Sequence, residues 1–90
     1  MNIDLKETVK NYSAEVQLCC NDDISQIESS LRDIEKKINN HECEINFTID
    51  GYVEYEGSSF NKLINAIIDE KDFWSAEGSK VTIYISVNKT

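Results

Sequence analysis

The chain contains no proline, three glycines, one histidine, one tryptophan and a single arginine among 90 residues. With so little proline and glycine, no Pro/Gly-rich linker divides it and no low-complexity segment or internal repeat appears, so the sequence reads as one domain spanning residues 1–90. No apolar run approaches the roughly 20 residues that a membrane span requires. The opening Met1–Glu7 lacks the basic flank and apolar stretch of a signal peptide. Basic charge is scarce: 9 basic side chains face 17 acidic ones, for a formal net charge of −8. That balance is opposite in sign to the basic footprint of a nucleic-acid binder.

The chemistry of catalysis is also thinly represented. No G-x-S-x-G, P-loop or H-E-x-x-H pattern occurs, and no glycine-rich loop stands beside a strand end to hold a small ligand. The only histidine, His41, would have to serve Cys19 or Cys43 as a base, and nothing in the spacing supports that. The cysteines are Cys19, Cys20 and Cys43. An odd count without a secretory signal reads as a reduced, cytoplasmic protein. Adjacent Cys19 and Cys20 are poorly placed for a disulfide, and the C-x₂₋₄-C spacing of zinc sites is missing. The expectation is therefore no enzyme activity, no metal and no cofactor.

What is present is hydrophobic patterning. Leu5, Val9 and Tyr12, preceded by Asp4 with Glu7 three residues on, suggest a short N-terminal helix. Ala14, Val16, Leu18 and Cys20 alternate with polar neighbours as a half-buried strand. Asn21-Asp22-Asp23 supplies turn and cap chemistry. Ile24, Ile27, Leu31, Ile34 and Ile38 then form an apolar helical stripe that Asn39-Asn40 ends. Cys43, Ile45, Phe47 and Ile49 mark a second strand, Asp50-Gly51 a hairpin turn, and Val53 and Tyr55 a third strand. A three-residue loop around left-handed Gly51 would pair Phe47 with Val53 and Ile45 with Tyr55, keeping apolar residues on one face and setting Glu44 opposite Glu56. Phe60, Leu63, Ile64, Ile67 and Ile68 form a second helical stripe, and Val81, Ile83, Ile85 and Val87 a fourth strand.

The resulting βαββαβ order resembles the ferredoxin-like arrangement. That resemblance implies an α+β fold: a four-stranded antiparallel sheet, in the order 4-1-3-2 of these four strands, with two helices on one face. The other face is open. Glu15 of the first strand, Glu42, Glu44, Tyr52, Glu54 and Glu56 of the hairpin region, and Tyr84 of the last strand are expected on it. RNA-recognition modules share this strand order, but the glutamates around Tyr52 and Tyr84 would repel phosphate. Acylphosphatase-like and copper-chaperone-like sites require a cationic loop or Cys-x-x-Cys after the first strand, where this chain has Asn21-Asp22-Asp23. Trp74, seven residues beyond Ile67, either completes the core stripe of the second helix or stands exposed as an interface anchor.

In its size, single-domain build, acidity and lysine-over-arginine bias, with the opening Met1-Asn2-Ile3-Asp4-Leu5 leading into a short helix and strand, the chain resembles small phage-encoded anti-CRISPR proteins and bacterial toxin-immunity proteins. The resemblance implies a non-catalytic inhibitor. It would place Glu15, Glu42, Glu44, Glu54 and Glu56, with Tyr52, Trp74 and Tyr84, against the basic nucleic-acid-binding surface of a protein partner, such as a CRISPR effector or a toxin, partly imitating a nucleic acid. The acidic face also has a plain use in solubility. The alternative function is a regulatory or self-assembling module, dimerising through Val81–Val87 as an edge strand.

Overall fold

The computed structural model describes residues 1–39 and 41–89. Asn40, expected to help end the first helix, lies outside the described residues. The elements run β1 (Asn2–Glu7), β2 (Asn11–Leu18), α1 (Ile24–Ile38), β3 (Cys43–Ile49), β4 (Tyr52–Gly57), α2 (Phe60–Asp69), α3 (Lys71–Trp74) and β5 (Val81–Asn88). The strands form one five-stranded sheet in the order β1-β2-β5-β3-β4, with every neighbouring pair antiparallel.

The long helices form where their stripes and caps place them. In α1, Ile27, Leu31, Ile34 and Ile38 are buried. The Asp23 carboxylate accepts the Ser25 N–H at 3.1 Å, satisfying one of the donors a helix start leaves free. Asn39 ends the helix in a left-handed conformation, φ 48°, and its N–H donates to the Glu35 carbonyl. In α2, the Ser59 hydroxyl accepts the Lys62 N–H at 3.2 Å, and Phe60, Leu63, Ile64 and Ile67 are buried. These helical stripes meet the inward residues of β2 (Tyr12, Ala14, Val16, Leu18), β3 (Ile45, Phe47, Ile49) and β5 (Val81, Ile83, Ile85, Val87) in one core.

Three expectations are corrected, and two of them have one cause. The N-terminal segment is not a helix but strand β1, paired with β2 from Asn2 opposite Gln17 to Glu7 opposite Tyr12. The turn is held by the Thr8 N–H donating to the Asn11 carbonyl at 2.7 Å and the Asn11 N–H donating to Thr8 Oγ1 at 2.9 Å. A short isolated helix gains little, whereas an unpaired strand edge satisfies a whole row of backbone groups. That edge exists because β2 lies outside β5. In the expected 4-1-3-2 order β2 would have had neighbours on both sides and no room for β1. Both orders move each helical crossover two strand positions in the same direction, so the handedness rule does not choose between them. β5 sits at the centre with four inward residues, as many as β2. Val81–Val87 is thus not an edge, because β2 and β3 occupy both its sides, and it cannot pair with a second chain.

The third correction concerns the β3–β4 hairpin. Its loop is the two-residue Asp50-Gly51, with φ 52° and 87°, between Ile49 and Tyr52. A two-residue loop in a regular ladder would set Glu54 opposite Phe47, a parity conflict that a bulge removes: Thr48 faces Val53, Phe47 faces Tyr55, and Glu54 is left without a partner on β3. Glu56 lies opposite Asn46 rather than Glu44. Among the described residues, no helix is long and apolar enough to cross a membrane.

Candidate functional site

Alternation along five paired strands dictates what the face away from the helices carries. One continuous row crosses it: Asp4 of β1, Glu15 of β2, Tyr84 of β5, Asn46 of β3 and Glu56 of β4, each opposite the next. Beside it runs Lys6, Ser13, Ser86 and Glu44. On the other flank lie Asn2, Gln17, Thr82, Thr48 and Val53. The face is thus polar, with carboxylates toward both sides and one half-exposed aromatic, Tyr84, near its middle (48% exposed).

Two open troughs cross this surface, of about 630 and 710 Å³. Glu44, Tyr84 and Ser86 line both; Asn46 and Glu56 line the first, and Asn11, Ser13 and Glu42 the second. Small-molecule pockets are mostly apolar and enclosed; these troughs are open and mix carboxylates, hydroxyls and amides with Cys43, Ile45 and Val87. The Asn46 side-chain oxygen is closed to solvent and has no hydrogen-bond partner.

Among the described residues there are three ion pairs, Met1 with Asp22, Arg32 with Glu35 and Lys89 with Glu7. None involves Asp4, Glu15, Glu42, Glu44 or Glu56. Asp4 directly faces Glu15, a like-charge pair that costs a few tenths to about 1 kcal/mol. This is the pair the fold does create, in place of Glu44 with Glu56.

The structure brings Glu15, Glu42, Glu44, Glu56 and Tyr84 together on the open face. It separates the remaining three. The two-residue turn and the bulge put Tyr52, which faces Ile49, and Glu54 toward the helix side, where they line a small hollow with Glu70 and Phe73. Trp74 is in the core, 1% exposed, with its indole Nε1 donating to the Ile67 carbonyl at 2.8 Å. Its neighbour Phe73 is the exposed aromatic of that segment. Sequence reasoning missed Asp4, because a helical reading of residues 4–12 hides the alternation of Asn2, Asp4 and Lys6 against Ile3 and Leu5.

The three cysteines are free thiols. Cys19 and Cys20 are exposed. Cys43 is half-buried, its Sγ lies 3.7 Å from the Ser58 carbonyl oxygen, and burial, then the charge of Glu35, pushes its thiol above the ordinary range. A nucleophilic cysteine needs the opposite shift. Among the described residues no group of three or more His, Cys, Asp or Glu side chains is placed to hold a metal ion. No protein family, curated protein or solved structure matches the chain.

Proposed function

We propose that this chain is a non-catalytic binding protein that docks the acidic open face of its sheet on a basic surface of a protein partner, and that it inhibits a nucleic-acid enzyme by covering that enzyme's cationic groove. The observation that carries the reading is the set of carboxylates without ion-pair partners among the described residues, Asp4, Glu15, Glu42, Glu44 and Glu56, gathered on one face around Tyr84. Such a face keeps a like-charge contact at its own cost, and a cationic partner removes that cost. Long-range attraction speeds the encounter, and Tyr84 supplies contact area of the kind interfaces favour.

Five strands spaced about 4.8 Å apart spread the row from Asp4 to Glu56 over roughly 19 Å. Three carboxylates over that span amount to about one charge per 6 Å, against about one per 1.7 Å along duplex DNA. The face therefore works by docking, without reproducing a duplex phosphate by phosphate.

The test is affinity capture of the tagged chain from bacterial lysate at low and high salt, with bound proteins identified by mass spectrometry. The reading expects a dominant basic nucleic-acid-binding protein that is lost at high salt, since exposed charge interactions are screened within about 10 Å at 0.1 M. Recovery of the chain alone, unaffected by salt, overturns it in favour of a self-assembling module.

A further inference from the structure

The sheet has two edges, and they are not alike. β4 is guarded: its bulge at Glu54 breaks the regular ladder, a common defence of exposed strands. β1 has no bulge and no proline, is paired on one side only, and is exposed along its whole length. The Thr8-to-Asn11 backbone bond fixes which of its groups are free. Because bonded and non-bonded pairs alternate in an antiparallel ladder, Asp4 and Lys6 bond toward β2, while the N–H and C=O groups of Ile3, Leu5 and Glu7 point outward. The exposed apolar side chains Met1, Ile3 and Leu5 lie on the helix side of this same edge.

We infer that β1 pairs with β1 of a second copy, antiparallel and about a two-fold axis, to make one continuous ten-stranded sheet with the helices of both copies on the same side. The inference shares Asp4 with the docking face and leaves Glu15, Glu42, Glu44 and Glu56 to the docking role. Charge complementarity selects the register. With the axis at Leu5, Leu5 faces Leu5, Ile3 faces Glu7, and Asp4 faces Lys6 of the second copy, twice by symmetry. The three outward-pointing positions on each strand then exchange about six backbone hydrogen bonds. Sliding by one repeat in either direction sets Asp4 against Asp4 or Lys6 against Lys6, which like-charge repulsion disfavours. The selected register also gives Asp4, crowded by Glu15 within its own chain, a cationic neighbour. An interface in which the same patch serves both partners closes on itself and stops at two.

Sedimentation of the full chain over a wide concentration range tests this, together with hydrogen exchange. The expected result is a species of twice 10.3 kDa whose Ile3, Leu5 and Glu7 amides become protected as it forms, while Asp4 and Lys6 are protected in the monomer already. Asp4→Lys and Lys6→Asp each weaken the dimer by about tenfold or more, and the double variant, which restores opposite charges in the same register, recovers most of the affinity. These positions are exposed, and a far-ultraviolet spectrum identical to the parent's confirms that each variant is folded. A chain that stays monomeric to millimolar concentration, a dimer whose affinity ignores the single reversals, or a double variant no better than either single one overturns the inference.

Discussion

At the scale of single residues, Trp74 closes the second helix. The carbonyl of Ile67 belongs to the last turn of α2, where carbonyls lack helical partners, and the Trp74 indole supplies its donor from seven residues downstream. Replacing Trp74 with Phe removes that donor and part of the packed volume. We expect a loss of about 1–3 kcal/mol in urea unfolding; an unchanged midpoint would contradict the capping role. Asp50 plays a comparable part at the hairpin. Its backbone N–H donates to the Lys80 carbonyl at 2.8 Å and its Oδ1 accepts the Lys80 N–H at 2.7 Å, tying the turn to the start of β5. Asp50→Asn keeps the acceptor and the tolerance of positive φ. Asp50→Ala loses both and should cost about 1–3 kcal/mol more, by the same unfolding assay.

A pH effect also belongs at this scale. The Lys89 ammonium, 2.6 Å from Glu7, holds the Glu7 carboxyl below the ordinary range, first by the hydrogen bond and then by charge. Since the folded value is lowered, the pair's contribution is present above the ordinary carboxylate range and is lost as pH falls through the lowered one. The pair is exposed, so that contribution is small. The direct readout is the Glu7 titration by NMR: Lys89→Met should move its midpoint upward, and no movement would mean the pair is not formed in solution.

At the scale of elements, the sequence was legible where a stripe and a cap agreed. The α1 range Ile24–Ile38, its Asp23 start, the apolar stripe of α2 and the alternation of β3 and β5 were all readable from side chains alone. β1 was not, because Asp4, Glu7, Leu5 and Tyr12 satisfy a helical template as well as a strand, and tertiary pairing decided. The hairpin shows the other limit. A parity conflict in a sequence says that something irregular occurs, and a longer loop or a bulge repairs it equally well. The bulge then moved Tyr52 and Glu54 off the face expected for them. One consequence can be measured. Glu15→Gln removes the like charge opposite Asp4 and should leave the protein as stable as the parent or more so, by up to about 1 kcal/mol. A clear drop in melting temperature would place Glu15 in some favourable contact that the present register does not contain.

At the scale of the whole molecule, the formal charge of −8 gains meaning from its distribution. β5 stands at the centre of the sheet, alternation along the paired strands gathers Glu15, Glu44, Glu56 and Tyr84 on the open face, and Trp74 of α3 lies in the core. Five of the eight expected residues, Glu15, Glu42, Glu44, Glu56 and Tyr84, were readable from the alternation of β2, the hairpin region and β5. The rest depended on β1 and on one extra residue in β4, neither of which alternation encodes. If total charge alone mattered, carboxylates on either side of the molecule would serve equally. A capture experiment comparing two variants of equal charge, each at −5 (−8 with three carboxylates neutralised), separates these possibilities. One variant carries Glu15→Gln, Glu44→Gln and Glu56→Gln on the open face. The other carries Asp69→Asn, Asp72→Asn and Glu77→Gln on exposed positions outside the sheet. The account predicts that the second variant retains the partner bound by the parent and the first loses it. Equal retention by both, or equal loss, would contradict the open face as the docking surface.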